Sequence, residues 1–323
     1  MRAIRLVRGG APLEERELPD PVPGCGEVLV DVHFAGVCHS DAHYRADASR
    51  VRLPITLGHE VAGVVAAVGP NVEDVAIGSR VALHYLWPNG DMIGKERDGG
   101  YAERIVVPAG NAVAVPPQVP LEQAAIMMCS TATALHALRV APLARGESVA
   151  LIGFGGLGVS ALQLALALGA SRVYAIDPVP AKLELAGAMG AVPIALDDLP
   201  AALPEVDIAL DFAGHAATTL AVLRRLATGG RLVLVAINLR QLTLDPYADI
   251  LGRERRLVGC SDHTREELVE LMVLAASGAI DLSAAISRRI PLEAAAVATA
   301  LDDLQRGTAH LRTVIAMPIA AAR

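Results

Sequence analysis

The chain has 323 residues, enough for two domains with separate cores. Its 53% apolar and 20% charged content is that of a globular protein rather than a disordered one. With 28 basic against 35 acidic residues, a net charge of −7 and 3% aromatics, it lacks the basic, aromatic surface a nucleic-acid partner would need.

The N-terminus carries basic residues, but no apolar core of signal-peptide length follows them. A cytoplasmic chain with reduced thiols is expected, and its four cysteines (Cys25, Cys38, Cys129 and Cys260) are too scattered for a disulfide framework. The first third reads as β-rich. Glu27–Phe34 alternates like a half-buried strand, Val61–Val68 is a β-branched run ending at a Gly69-Pro70-Asn71 turn, and Arg80–Leu83 and Ala102–Val107 are extended. Few amphipathic helices are visible there.

After about Ser130 the pattern changes. A helix is expected over Thr131–Arg139, then strand Ser148–Phe154, helix Leu157–Leu168, strand Arg172–Asp177 and helix Ala181–Met189. Strands at Val206–Phe212, Arg231–Ala236 and Arg256–Gly259 follow, with a helix at Ala217–Leu226. This alternation predicts a doubly wound parallel sheet covered on both faces. The tail holds helices Arg265–Ser277 and Leu292–Gln305 and a last strand, Thr313–Met317. The uncharged stretch Ser148–Ser171 is long enough to span a bilayer. Its glycines break it after a short apolar run, so a buried strand, a turn and a buried helix explain it better and no membrane partner is expected.

That turn reads Gly153-Phe154-Gly155-Gly156-Leu157-Gly158. GxGxxG alone is a weak signal, but here a strand precedes it, a helix follows and a second strand comes next. The first glycine permits the tight turn, the second lets the backbone approach a pyrophosphate, and the third lets the helix pack on the sheet. The helix N-terminus offers free N–H groups to phosphate. Asp177 ends the second strand, placed to accept from a ribose 2′-hydroxyl and to repel a 2′-phosphate, which selects NAD over NADP. Lys182 follows closely enough to help hold the ribose. The bland alternative is a glycine turn with a surface aspartate and lysine.

Cys38, His59 and Cys129 make up a Cys₂His set of the kind that holds catalytic zinc with a fourth position open. A lone buried cysteine is usually a small core residue, and a lone histidine usually a satisfied one. Cys25 and Cys260 keep that reading. The joint occurrence with a nucleotide fingerprint shifts the balance for the other three. An alcohol is a very weak acid, and a divalent cation supplies the polarisation that its oxidation needs.

The segments GVCHSDAH, LPITLGHE, DGGYAE, GFGGLG and HLRTVI occur in the order that characterises zinc-containing medium-chain alcohol dehydrogenases, and the resemblance covers essentially the whole chain. It implies a β-rich GroES-like catalytic domain, residues 1–130 and 260–323, wrapped around a Rossmann NAD-binding domain, 131–259. By this resemblance Cys38, His59 and Cys129 are zinc ligands, and Glu60 stands beside the metal. Asp41 orients a histidine ligand. Ser40 takes the substrate proton, which leaves through His43. His39 and Arg312 are cationic positions near the pyrophosphate, and Thr133 packs against the nicotinamide.

The departure from the family lies between Arg80 and Gly99. Many relatives carry a four-cysteine lobe with a structural zinc there; this interval is short and holds no cysteine. One zinc per chain is expected. Trp87 falls in this segment, where it lines the substrate pocket or simply packs. Relatives commonly form homodimers or homotetramers, and the same is expected here. The apolar segments Leu83–Trp87 and Ile126–Met128 favour a simple small-molecule alcohol or carbonyl over a polyol, sugar or amino alcohol. A zinc-free enone or quinone reductase is disfavoured by the Cys₂His set and Asp177, and a non-catalytic NAD- or zinc-binding protein by the Ser40–His43 relay.

Overall fold

A computed structural model of the chain describes residues 1–237, 241–307 and 310–318. It divides into two compact units, Met1–Cys129 with Arg265–Arg323, and Ser130–Thr264. Of the tail assigned to the first domain by sequence, residues 308–309 and 319–323 lie outside the described residues.

The first unit opens with strands β1 (Arg2–Leu6), β2 (Glu14–Glu17) and β3 (Glu27–Val37), helix α1 (His39–Ala46), and strands β4 (Ile55–Thr56), β5 (Glu60–Val68), β6 (Arg80–Leu83), β7 (Arg104–Pro108) and β8 (Ala112–Ala114). Helix α2 (Leu121–Ile126) then leads into a wider π turn, Met127–Thr131. The long strand β3 organises the sheet. It pairs antiparallel with β5 along one edge, through Val28–Gly36, and with β7 along the other, through Glu27–Asp31. β1 pairs with β2 and β4 in a separate small sheet. Alternation in β3 sends Val28, Val30 and Val32 into a core shared with Ile4, Leu6, Val61, Leu83 and Tyr101.

The second unit contains helix α3 (Ala132–Val140), strand β9 (Ser148–Ile152), helix α4 (Gly156–Ala167), strand β10 (Arg172–Asp177), helix α5 (Pro180–Ala188) and strand β11 (Val192–Ala195). A short helix α6 (Leu199–Ala202), strand β12 (Val206–Asp211), helix α7 (Ala216–Leu223) and strands β13 (Leu226–Leu234) and β14 (Arg256–Gly259) complete it. The sheet runs β11-β10-β9-β12-β13-β14, parallel throughout. That is the doubly wound order in which the chain reverses direction beside its first strand, where a dinucleotide binds. Ala150, Ile152, Ile176, Val206 and Leu232 fill its core. The uncharged Ser148–Ser171 stretch resolves into β9, the glycine turn and α4, and no helix among the described residues is long and apolar enough to cross a membrane.

The chain returns to the first unit with α8 (Arg265–Ala276), strand β15 (Ile286–Pro291), helix α9 (Ala294–Arg306) and strand β16 (Arg312–Ala316). β16 pairs with β15 and, antiparallel, with β3, so the C-terminal strand reaches the centre of the sheet.

Two differences from the sequence reading have local causes. The helix expected over Ala217–Leu226 ends at Leu223, and Leu226 opens β13 instead. Gly229 at φ +75° and an irregular register between Val206 and Ile208 let the Thr-Gly-Gly stretch bulge within that strand. The sequence gives no sign of helix α1, because HSDAHYRA is mostly polar and shows no apolar stripe. It starts through the Asp41 carboxylate, which accepts the Cys38 N–H at 3.1 Å, as a capping side chain does.

Candidate metal centre and dinucleotide turn

Cys38 precedes the first turn of α1, His59 and Glu60 stand at the start of β5, Cys129 sits on the π turn after α2, and Arg312 opens β16. Ligand atoms of Cys38, His59, Glu60 and Cys129 all lie within 4.8 Å of one another. The two sulfurs are 4.0 Å apart. Two thiolates bound at about 2.3 Å to a tetrahedral zinc would lie roughly 3.8 Å apart, so the pair is spaced for one ion. All but Cys129 are buried. The Glu60 carboxylate pairs through Oε2 with the Arg312 guanidinium, while its buried Oε1 has no hydrogen-bond partner. A buried oxygen with no donor, beside two sulfurs and an imidazole, fits a cation at this point.

The electrostatics agree. The contact with Cys129 draws the Cys38 thiol well below its ordinary range against the opposition of burial, with help from His59 and Arg312. The same contact, together with burial, pushes Cys129 up. Burial works against a charge on His59, but the Asp41 and Cys38 anions outweigh it and hold that imidazole above its usual range. Burial raises the Glu60 carboxyl to about 7 despite Arg312. A pocket whose second thiol and carboxyl resist ionisation through burial beside one another is one that a metal ion relieves.

Asp41, with no solvent exposure, lies 3.2 Å from His59 Nδ1. A carboxylate on Nδ1 leaves Nε2 as the imidazole's free ligand atom. Ser40 Oγ is 3.8 Å from Cys38 Sγ. One turn on, His43 stacks on His39 with ring centroids 4.9 Å apart. Burial, then His39 and Arg50, lower the His43 pKa, which keeps that ring neutral near pH 7. Arg312, expected near a pyrophosphate, is 4% exposed and spends its charge on Glu60.

Two aromatic residues complete this centre: Tyr101, whose role the sequence does not reveal, and Tyr85, within the Leu83–Trp87 segment. The Tyr101 hydroxyl donates to Asp41 Oδ2 at 2.8 Å, and Tyr85 meets His59 edge-on with centroids 5.5 Å apart. Tyr101 lies in the quoted DGGYAE segment, so the signal was present without a role. Of the apolar segments read as pocket wall, Leu83, Ile126, Met127 and Met128 have no solvent exposure and are core. The Arg97 guanidinium lies 4.7 Å over the Trp87 ring.

In the second unit, Gly153 adopts φ +92°, a Cβ on Gly155 would meet no heavy atom within 4 Å, and one on Gly158 would come 2.5 Å from the Gly153 carbonyl. The three glycines thus turn the chain, leave its backbone approachable and let α4, which includes Leu157, seat closely. Gly156 is the first residue of that helix. Asp177 accepts the Phe154 N–H at 2.8 Å and the Val179 N–H at 2.9 Å, and Lys182 Nζ stands 4.0 Å from it. The carboxylate therefore braces the turn as well as ending β10. Thr133 lies in α3, where its carbonyl faces Cys260 Sγ at 3.9 Å.

The family description "Alcohol dehydrogenase GroES-like domain" matches residues 24–117, and "Zinc-binding dehydrogenase" matches residues 156–277. A NAD-dependent alcohol dehydrogenase of Sulfolobus acidocaldarius is 32% identical, over 98% of this chain and 99% of its own. The chain belongs to the zinc-type medium-chain alcohol dehydrogenase family. Among solved structures, AibC superposes on this dehydrogenase with a TM-score of 0.87 at 32% identity, covering 98% of this chain and 96% of the other. A zinc-binding dehydrogenase of Sinorhizobium meliloti, solved with NADP, gives 0.88 at 28%, covering 98% of each.

Proposed function

We propose that this dehydrogenase uses one zinc ion per chain and NAD to interconvert a primary or secondary alcohol and its aldehyde or ketone by hydride transfer. The observation that carries the reading is the convergence of Cys38, His59, Glu60 and Cys129 within 4.8 Å, in a chain whose other unit carries the glycine turn and Asp177. Cys38, His59 and Cys129 hold the ion, with Glu60 beside it. When bound, zinc supplies a Lewis acid that makes an alcohol hydroxyl far more acidic and polarises a carbonyl. Ser40 receives the substrate's proton, and the neutral His43 ring, one turn along α1, passes it to solvent. Asp41 orients His59. His39 and Arg312 stand near the pyrophosphate, Thr133 packs on the nicotinamide, and Gly153 to Gly158 with Asp177 and Lys182 hold the adenosine half of NAD. The cysteine-free interval between Arg80 and Gly99 supports a single zinc, with no structural second site. The working form is a cytoplasmic homodimer or homotetramer.

Hydride transfer to NAD with a panel of apolar alcohols, polyols and amino alcohols, followed by the absorbance of the reduced nicotinamide, tests this reading. Turnover is expected with NAD and with the simple alcohols first. Asp177→Ala should raise the KM for NAD roughly tenfold, the worth of one hydrogen bond to a charged group, and narrow the preference over NADP. Its melting temperature controls for loss of the two backbone contacts. No turnover of any alcohol with either cofactor overturns the reading, and an unaltered cofactor preference in Asp177→Ala refutes the ribose contact.

A further inference from the structure

Four groups converge on the Asp41 carboxylate. Oδ1 faces His59 Nδ1 at 3.2 Å and accepts the Gly58 N–H at 3.3 Å. Oδ2 accepts the Cys38 N–H at 3.1 Å and the Tyr101 hydroxyl at 2.8 Å. The tyrosine contact is the shortest of the four. Tyr101 and Asp41 both have no solvent exposure, so water does not compete for that bond.

Tyr101 is also fixed to the segment that leads into His59. Its N–H donates to the Leu57 carbonyl at 3.0 Å, while the N–H groups of Gly99 and Gly100 donate to Thr56 and Gly58, each at 2.7 Å. Its ring lies against Gly58, where a Cβ would come within 2.3 Å of Tyr101 Cδ1. Gly58 sits at φ +95°, a conformation that glycine adopts freely. One residue thus touches both the turn before His59 and the carboxylate behind it.

We propose that Tyr101 is a positioning residue of the metal centre. Its hydroxyl fixes the rotamer of Asp41, and Asp41 in turn fixes the tautomer and tilt of His59 and the turn that carries Cys38. The proposal rests on the reading that Cys38, His59 and Cys129 hold zinc.

Tyr101→Phe removes one oxygen and leaves the ring on Gly58. The test measures zinc affinity, by competition with a chromogenic chelator, in the wild type, Tyr101→Phe, Asp41→Asn and the double variant. It adds the visible spectrum of the cobalt-substituted proteins and the melting temperature of the metal-free ones. Tyr101→Phe is expected to weaken zinc binding about tenfold and to shift the cobalt bands. The double variant should stay within about twofold of Asp41→Asn alone, because the tyrosine acts through that carboxylate. A lower melting temperature with unchanged affinity and spectrum makes Tyr101 purely structural and overturns the proposal, as does full additivity of the two substitutions. A wild type that binds zinc no better than Cys38→Ser overturns the underlying zinc assignment instead.

Discussion

Cys38→Ser is expected to strip the zinc from the folded protein and to lower kcat/KM by at least roughly 10³-fold, since a bound Lewis acid contributes several kcal/mol to such a transition state. The loss is chemical rather than structural. Cys38 precedes α1, and serine is among the residues most favoured at that capping position, so the helix keeps its start. Its sulfur touches Ser40 Oγ and Cys129 Sγ, and a hydroxyl of similar size fits the same space. Removing one of two thiolates leaves an imidazole, one sulfur and a carboxylate already engaged by Arg312. Metal analysis, kinetics and a melting curve on the same preparation check this. A variant that keeps full activity would exclude zinc chemistry at this centre.

The second large effect is expected at the glycine turn. Gly158→Val places a side chain where a Cβ alone would lie 2.5 Å from the Gly153 carbonyl. Neither backbone can yield without moving α4 off β9, so overpacking should cost roughly 1–3 kcal/mol of stability and NAD binding should fall below detection. Gly155→Ala separates the two consequences. Its Cβ meets no heavy atom within 4 Å and its φ of −93° suits alanine, so the melting temperature should hold while NAD binds more weakly. Calorimetric titration with NAD and thermal melting read both variants. Zinc content should not change in either, because the proposed ligands belong to the other unit. Equal NAD affinity in Gly155→Ala and the wild type would contradict the pyrophosphate assignment.

What could be read from the residues was what is local. The alternation of β9, α4 and β10 shows in the hydropathy pattern, and the glycine turn shows because each glycine meets its own steric demand within six residues. Boundaries failed where a strand absorbs a bulge, as at Leu226, because turn glycines inside β13 imitate the end of a helix. The metal centre was legible only through its motifs. Cys38 and Cys129 are 91 residues apart, Asp41 and Tyr101 are 60 apart, and Glu60 and Arg312 are 252 apart. No periodicity links such positions; sheet pairing does, by setting β16 and β5 on either side of β3. Arg312 makes a contact that its motif left unread. Its expected place beside a phosphate gave no hint of the buried pair with Glu60.

Two sulfurs and an imidazole are proposed to share one zinc ion. X-ray absorption at the zinc edge of the purified wild type measures that shell directly. Two sulfur neighbours at about 2.3 Å with nitrogen or oxygen at about 2.0–2.1 Å are predicted. A shell of nitrogen and oxygen alone, or one of four sulfurs, would contradict it.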